Sequence, residues 1–192
     1  MPENLTLFEI GERAKAKSAV RVMSGSRKHG ENRKANDFYP TPEIATIALL
    51  EREKFSGVIW EPACGDGAIS KVLERMGYQV ESSDLVDRGY GKSGVDFFQT
   101  KRMVDNIITN PPYKVAPQFV HHSVLSTRKK VAMLLRLAFL ETKARLPLFT
   151  GLPLARVYVF SERLPFIEGN AIAYAWFVWE HGRVEKPSLE WL

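Results

Sequence analysis

Cysteine is the scarcest chemically reactive residue in this chain of 192 amino acids, which contains only Cys64. A single cysteine cannot form an internal disulfide bond, so we expect a protein of a reducing compartment, the cytoplasm. Long apolar runs are also missing, since none approaches the roughly 20 residues of a membrane-spanning helix. Residues 1–4 lack the basic start and apolar run of a secretory signal. The sequence therefore predicts no membrane partner and no secretion.

Clusters of metal-ligating side chains are absent from the sequence as well. His121 and His122 are adjacent, so they cannot face the same way on a helix, and we expect both on a helix surface. The other histidines and the acidic residues do not have the spacing of a metal site, which predicts no metal cofactor. We interpret Cys64 as a small buried thiol rather than as a nucleophile.

Positive charge is concentrated at one end of the chain. The net charge is +5 and the pI is near 9.3, which mildly favours a polyanionic partner. Residues 11–36 alone hold eight Lys and Arg residues against two glutamates. We therefore interpret residues 1–36 as a mobile basic arm, with a short helix near residues 5–22, and residues 37–192 as one folded domain. The arm's candidate nucleic-acid contacts are Arg27, Lys28, Arg33 and Lys34; a solvated tail without a partner is the alternative.

The folded domain is predicted to begin with a helix. Thr41 is a candidate N-cap, Pro42 suits the first helical position, and Glu43 favours the positive end of the helix dipole. Apolar residues then recur at helical spacing up to about Glu53. They are Ile44, Ile47, Ala48 and Leu50.

A strand, a glycine-containing loop and a helix follow each other next. Residues 57–60 form a short apolar strand, residues 61–67 read Glu-Pro-Ala-Cys-Gly-Asp-Gly, and a helical pattern follows. The small residues of such a turn let a ligand approach the backbone. Ser70 stands where a dinucleotide fingerprint has its third glycine, which weakens a pyrophosphate interpretation.

A second strand, residues 77–84, ends in an acid. Asp84 comes about twenty residues after the glycine loop, the spacing at which a carboxylate binds the hydroxyls of a ribose. Asp87 is the alternative, since it lies only three residues further along the chain.

The most informative stretch is residues 104–113. An apolar strand ends there at Asn110-Pro111-Pro112-Tyr113. Two consecutive prolines remove two backbone donors and fix two φ angles, so the strand cannot continue. In an open α/β sheet the carboxyl ends of the strands are where ligands bind. A rigid amide, adjacent carbonyls and an aromatic ring at that place suit a flat molecule with an amino group, such as a nucleobase; a plain Pro-Pro turn is the alternative.

The C-terminal half supplies further elements of an α/β sheet. The patterns predict a helix over 116–126, a buried strand over 130–136, a short helix over 140–146 that Pro147 stops, and strands over 155–160 and 171–179. The last strand is rich in aromatic residues, which we expect to pack in the core rather than to stack on bases.

Asn110-Pro111-Pro112-Tyr113 resembles the catalytic motif of S-adenosylmethionine-dependent amino-methyltransferases, and the loop at residues 61–67 resembles their cofactor loop. The resemblance extends over roughly residues 37–180. It implies an α/β, Rossmann-like class I methyltransferase fold, with a seven-stranded, mostly parallel sheet and an antiparallel last strand. It also implies S-adenosyl-L-methionine as cofactor, whose amino group and positive sulfur suit the acidic Glu61 and Asp66.

The resemblance assigns two groups of site residues. The catalytic group is Asn110, Pro111, Pro112 and Tyr113. The cofactor-binding group is Tyr39, Thr41, Pro42, Glu61, Pro62, Ala63, Gly65, Asp66, Gly67, Asp84, Asp96 and Phe97. Within it Asp96 would bind the exocyclic amine of the cofactor's adenine and Phe97 its ring; for Asp96, the cap of a turn is the alternative.

The substrate implied by the resemblance is DNA. Phe38-Tyr39-Pro40-Thr41-Pro42, together with the Asn-Pro-Pro-Tyr motif, most resembles the DNA adenine-N6 enzymes, including compact phage-type members. Further candidate nucleic-acid contacts are Lys143, Arg145 and Arg163. The chain has no room for a separate target-recognition domain, so the choice of DNA over RNA stays open. The alternatives are an RNA or protein glutamine amino-methyltransferase, and a catalytically silent nucleic-acid-binding module.

Overall fold

A seven-stranded mixed sheet is the centre of the computed structural model, which describes residues 39–164 and 172–192. The strands are β1 (Ile59–Glu61), β2 (Val80–Ser82), β3 (Val104–Thr109), β4 (Thr127–Arg136), β5 (Leu154–Val159), β6 (Tyr174–Glu180) and β7 (Ser188–Trp191). Their order across the sheet is β2-β1-β3-β4-β6-β5-β7. Only the pairs of β6 with β4 and β5 are antiparallel. The predicted α/β fold with a mostly parallel sheet is thus confirmed.

The C-terminal strands differ in one respect from the expectation. The strand predicted over 171–179 corresponds to β6 and is antiparallel to both neighbours, as expected. A further strand, β7, follows it and pairs in parallel with β5 at the edge of the sheet. Its four residues are too few for a recognisable alternation, and Leu189 and Trp191 are largely exposed. The sequence pattern therefore does not indicate this strand.

In the described residues, four helices accompany the sheet: α1 (Glu43–Arg52), α2 (Ala68–Arg75), α3 (Ala116–Leu125) and α4 (Leu146–Thr150). Single turns of 3-10 helix cover Phe97–Gln99, Tyr113–Val115, Leu137–Leu140 and Lys143–Arg145. The prediction of a helix over 140–146 is wrong. Pro147 does not stop a helix but lies in the first turn of α4, where its missing N–H costs no intrahelical hydrogen bond.

The start of α1 also corrects the sequence analysis. Pro42, and not Thr41, occupies the N-cap position, and no side chain caps the helix. The buried face of α1 differs from the predicted stripe too, since Ile44 is 57% exposed. That face consists of Ala45, Thr46, Leu49 and Leu50. This buried face does not appear as an apolar pattern in the sequence because it includes the polar Thr46.

Both faces of the sheet are buried. On β3, Ile107 contributes to the core on one face and Ile108 to the core on the other. Neighbouring strands alternate in the same way, which the period of two residues along a strand requires. Helices α1 and α2 cover the face that contains Ile108, and α3 covers the opposite face. The aromatic residues of β6 are all buried, so the prediction that they pack in the core is confirmed.

A charged network fixes the end of α1 to the sheet. Glu53 is the C-cap of α1, and its side chain is only 3% exposed. Its carboxylate accepts hydrogen bonds from Lys130 Nζ at 2.7 Å, from Tyr158 Oη at 2.9 Å and from the Arg156 guanidinium. Arg156 also pairs with Glu180. The network joins α1 to β4, β5 and β6, so it secures the helix that precedes the candidate site.

Several predictions lie outside the described residues. They concern the basic arm over residues 1–36, its helix near residues 5–22, and the arm contacts Arg27, Lys28, Arg33 and Lys34. Within residues 39–164 and 172–192, no helix is both long and apolar enough to cross a bilayer.

Candidate active site

A cavity of about 400 Å³ opens at the carboxyl ends of β1 and β3. Its wall is formed by four loops and by the residues before α1. Glu61 at the end of β1 and the loop after it, with Pro62, Ala63 and Asp66, form one part of the wall. Asp84 follows β2, Asp96 and Phe97 lie in the segment before Gln99, and the Asn110–Tyr113 segment completes the wall. Most of the predicted site residues therefore come together around one cavity.

The glycines of the loop shape it without lining the cavity themselves. Gly67 is the N-cap of α2 with φ of 81°, a left-handed conformation that favours glycine. A Cβ atom at this position would lie 2.5 Å from the Tyr90 ring. The backbone N–H of Gly65 donates to Asp84 Oδ2 at 2.9 Å. The conformation of Gly67 and the hydrogen bond of Gly65 thus help to place Asp66 and Asp84 in the cavity wall. The two glycines themselves do not line the cavity.

The Glu61 carboxylate is hydrogen-bonded to Ser70, a contact that was not predicted from the sequence. The residue is 2% exposed, and its Oε2 accepts from the backbone N–H of Ser70 at 2.9 Å and from the Ser70 hydroxyl. Burial raises the pKa of Glu61 well above its ordinary value, although both Ser70 bonds act in the opposite direction. Ser70, noted above only as a missing glycine, therefore ties β1 to the first turn of α2.

Three buried side-chain oxygen atoms of the cavity wall have no hydrogen-bond partner among the described residues. One is the Tyr113 hydroxyl, and the other two are the acceptors Asp66 Oδ1 and Asn110 Oδ1. A buried acceptor without a partner is costly, commonly by about 1–3 kcal/mol. Both atoms therefore indicate that the cavity receives a ligand with N–H or O–H donors.

The structure distinguishes between the two candidate ribose acids. Asp84 lines the cavity, and its carboxylate accepts from the N–H groups of Gly65 and Val86, both at 2.9 Å. Asp87 is exposed, accepts from the N–H of Gly89 and does not line the cavity. Only Asp84 is placed to bind a ligand there.

The aromatic part of the wall differs in detail from the prediction. Asp96 lines the cavity, and its Oδ1 also caps the next turn by accepting from Phe98 N at 2.9 Å. Phe97 is only 4% exposed because its ring stacks on Phe119 at 4.3 Å between centroids. Phe98 is 38% exposed and lines the same cavity. Phe98 therefore offers more free ring surface than Phe97, and its place directly after Phe97 was the signal available in the sequence.

His122 is a further correction. His121 is exposed as predicted, but His122 packs edge-on against Phe97, with 4.7 Å between ring centroids. It therefore belongs to the support of the aromatic wall and not to the helix surface. No group of three or more His, Cys, Asp or Glu residues in the described part of the chain is arranged to hold a metal ion.

Cys64 lies in the loop as a buried thiol, 3% exposed. Burial, together with the charges of Glu61 and Asp84, raises the pKa of the Cys64 thiol to about 12. The thiol is therefore protonated near neutral pH, and a protonated thiol is a poor nucleophile. The prediction that Cys64 is a small buried thiol is confirmed.

The Asn110–Tyr113 segment forms the predicted rigid turn at the end of β3, and all four residues line the cavity. Asn110 Nδ2 donates to Thr41 Oγ1 at 3.1 Å, which leaves Oδ1 as the free acceptor described above. Tyr113 is half-buried, and burial together with Tyr174 raises the pKa of Tyr113 far above its ordinary value. Its phenol is therefore protonated at physiological pH.

The residues before α1 supply one wall of the cavity. Tyr39 and Thr41 line it as predicted, together with Pro40. Pro42 does not, because it occupies the N-cap position of α1. Leu85 also lines the cavity and is 63% exposed. Leu85 was not among the predicted site residues, although it directly follows the predicted ribose-binding Asp84 in the sequence.

Three cations outside the cavity were predicted to contact nucleic acid. Lys143 and Arg163 are exposed. Arg145 donates from Nη1 to the carbonyl oxygens of Ala138 and Phe139, both at 2.9 Å. Its guanidinium therefore already stabilises the turn that follows β4. A nucleic-acid role for these three residues stays a prediction.

The similarity of this chain to known proteins lies in its fold and not in its sequence. No protein-family profile and no curated protein sequence matches the chain. A Listeria monocytogenes protein, described as a class I S-adenosylmethionine-dependent methyltransferase, matches with a TM-score of 0.61 and 18% identity, over 94% of this chain and 73% of that one. The chain has the class I methyltransferase fold.

Two further structures share this fold at low identity. A protein from Pyrococcus horikoshii, described as an RNA methyltransferase, matches with a TM-score of 0.60 and 15% identity, over 86% of this chain and 98% of that one. The modification subunit of a type I restriction enzyme, so described, from Vibrio vulnificus matches with a TM-score of 0.56 and 12% identity, over 97% of this chain and 51% of that subunit. The methyltransferase fold of this chain thus spans about half the length of the Vibrio subunit.

Proposed function

We propose that the protein is an S-adenosylmethionine-dependent methyltransferase that modifies an exocyclic amine, with adenine N6 in DNA as its target. One observation carries the proposal. Asn110 Oδ1 is a buried acceptor without a partner, held on a rigid turn in the wall of the cavity. An amino group of a base is a donor that would satisfy it.

The cavity fits the proposed cofactor. Its volume of about 400 Å³ lies within the range of small-molecule sites. Asp66 Oδ1 is an unpaired acceptor for an amino group, Asp84 would bind ribose hydroxyls, and Asp96 would accept from the adenine amine. Phe98 and Leu85 add exposed apolar side chains to the wall of the same cavity. S-adenosylmethionine, when bound, would supply an electrophilic methyl group on a positively charged sulfur.

In the proposed mechanism, catalysis depends on hydrogen-bond acceptors that are already correctly positioned before the substrate binds. Asn110 Oδ1 and the Pro111 carbonyl would accept hydrogen bonds from the two N–H groups of the substrate amine and leave its lone pair free to attack the methyl carbon. The sulfur would leave with the electron pair of the broken bond, and the methylated nitrogen would then release one proton to water. Positive charge develops on that nitrogen, and fixed acceptors stabilise it without reorganising. The two prolines make the turn rigid, and the Thr41 hydroxyl holds the Asn110 amide. Tyr113 would provide a stacking surface for the base once it has left the duplex.

A nucleic-acid substrate is supported by charge and by the structural matches. The net charge of +5 favours a polyanion, and most of the excess lies in residues 11–36, where eight Lys and Arg residues stand against two glutamates. We include in the proposal that this basic arm binds the phosphate backbone independently of base sequence. The matches to proteins described as a restriction-modification subunit and as an RNA methyltransferase make DNA and RNA the two substrates to compare.

The deciding experiment is a substrate comparison. The protein is incubated with S-adenosylmethionine labelled in its methyl group and, separately, with DNA, RNA and protein, and the hydrolysed products are identified by mass spectrometry. We expect N6-methyladenine in DNA. Label in N4-methylcytosine or in RNA defeats the DNA-adenine assignment, and label only in protein defeats the nucleic-acid assignment altogether.

Cofactor binding is tested separately from transfer by a matched pair of acids. Replacing Asp84 with alanine should weaken S-adenosylmethionine binding roughly tenfold or more, since a hydrogen bond to a charged group contributes about 1.5–3 kcal/mol. Replacing Asp87, which is exposed and outside the cavity, should leave binding unchanged. Titration calorimetry measures both. Equal affinities in the two variants would show that Asp84 does not contact the cofactor.

A further inference from the structure

Arg136 is the last residue of β4 and lies beside the candidate catalytic turn. In the parallel pair of β3 and β4, Thr109 is opposite Met133. Arg136 is three residues further along β4, so it extends past the end of β3 to the level of the Asn110–Tyr113 turn. Its guanidinium carbon lies 4.8 Å from the centroid of the Tyr113 ring, and the residue is exposed. Arg136 therefore places a solvent-accessible positive charge over the ring that is proposed to receive the base.

The charges around the cavity are unevenly distributed. Away from the catalytic turn the charged residues of the wall are mostly acidic, among them Asp66, Asp84 and Asp96, with Arg88 as a cation beside them. On the side of the catalytic turn the charged residues are cations: Lys114, which is exposed and lines the cavity, and Arg136. An acidic wall suits a cationic cofactor, whereas cations beside the turn suit a substrate that carries negative charge next to the reacting base.

We propose that Arg136 binds a backbone phosphate adjacent to the target nucleotide while the base lies against Tyr113. This inference rests on the proposed nucleic-acid substrate and assigns it a specific contact. The planar guanidinium presents a fork of N–H donors that matches two phosphate oxygens, a geometry that a lysine ammonium lacks. An exposed contact with an aromatic ring holds the cation near the turn and leaves its donors available to a ligand. Arg136 is thus a substrate-positioning residue outside the motif itself.

A purely structural role for Arg136 has a different signature. If its only task were to pack on the Tyr113 ring, a long apolar side chain would replace it without loss. Arg136→Met keeps much of the length and the ring contact and removes the charge. Arg136→Lys keeps the charge and removes the planar fork. Arg128 provides a matched control, since it is an exposed arginine near the opposite end of the same strand, and its guanidinium donates to the Met103 carbonyl at 3.1 Å.

The test measures the binding of a short adenine-containing DNA duplex by the full-length protein across a series of salt concentrations. For Arg136→Met we expect roughly tenfold weaker binding or more at low salt. The slope of log K against log salt should become shallower by about 0.9, the value for one phosphate contact of B-DNA. Arg136→Lys should keep the slope and lose part of the affinity. S-adenosylmethionine affinity should be the same in all variants, and Arg128→Met should match the unchanged protein throughout.

Two results would overturn the inference. Unchanged affinity and slope in Arg136→Met would mean that Arg136 contacts no phosphate, and parallel losses of cofactor affinity and thermal stability would mean that it acts on the fold. The failure of the proposed function is separate: it is recognised when the unchanged protein neither binds nor methylates nucleic acid. Where the unchanged protein methylates DNA and Arg136→Met equals it in binding, only the role of Arg136 is refuted.

Discussion

Replacing Asn110 with alanine is expected to abolish detectable methyl transfer while S-adenosylmethionine affinity stays close to that of the unchanged protein. The substitution removes the buried Oδ1 acceptor that would orient the substrate amine. Loss of one preorganised hydrogen-bonding group at a reacting centre costs on the order of 10²–10³ in rate. The bond from Asn110 Nδ2 to Thr41 is lost as well, which removes a constraint on the turn and adds to the effect.

The measurement is single-turnover transfer from labelled cofactor, with calorimetry for cofactor binding. Gln118→Ala is the control, because it removes an exposed amide from α3, outside the cavity wall. It should leave both quantities unchanged. Transfer by Asn110→Ala at the rate of the control would refute the catalytic role of Asn110, and loss of cofactor binding in that variant would place Asn110 in the cofactor site instead.

The second large effect concerns stability and is expected for Glu53→Ala. This substitution leaves Arg156 and Lys130 without the carboxylate that they share, in a place where Arg156 is only 13% and Lys130 only 18% exposed. Removing one partner of a buried ion pair typically costs about 3–5 kcal/mol, because the remaining charge stays buried without compensation. Urea unfolding, followed by circular dichroism, should show a free energy of unfolding that is lower by that amount, with a correspondingly lower midpoint. Glu51→Ala is the control: Glu51 is exposed on the same helix, and its loss should change the free energy of unfolding by no more than about 0.5 kcal/mol.

The same network gives the stability a defined pH dependence through Glu180. Burial opposes its ionisation, but the Arg156 hydrogen bond and the charge of Lys130 outweigh burial and lower the pKa of Glu180. A carboxyl group with a lowered pKa in the folded state stabilises the protein above its unfolded pKa, and this contribution is lost as the pH falls below that value. Acid should therefore weaken the attachment of α1 to the sheet through the same residues as Glu53→Ala.

A urea midpoint for Glu53→Ala equal to that of Glu51→Ala would show that the network does not stabilise the fold.

Much of the site follows from local sequence. The Asn110–Tyr113 turn could be placed at a strand end because two prolines restrict the backbone whatever the surroundings are. The loop at residues 61–67 was recognisable for a similar reason, since a left-handed residue such as Gly67 narrows the choice to glycine. Asp84 could be predicted as a site residue because it lies about twenty residues after the glycine loop. In each case a short segment determines its own geometry.

The missed features depend on contacts between distant segments. The Glu61 carboxylate is bound by Ser70 because α2 begins directly above the end of β1, and no spacing rule indicates that pair. Phe97 and Phe98 are adjacent in sequence and both contact Phe119. Phe97 is the more buried of the two because it stacks on the Phe119 ring and also packs edge-on against Trp60. In α1 a fully buried threonine interrupts the apolar pattern. Tertiary environment, rather than local propensity, determines these positions.

The position of β6 has a consequence for the way in which the protein is made. This strand is the sixth of seven along the chain, yet it lies between β4 and β5 and supplies buried tryptophans to the cores on both faces. A growing polypeptide therefore has to wait for residues 174–180 to leave the ribosome before β4 acquires its second neighbour. Until then one long edge of β4 is unpaired, which is a surface that invites association with other nascent chains. The pairing also closes a long loop, which slows folding. We therefore expect the nascent chain to be open to such association until β6 is synthesised and pairs with β4.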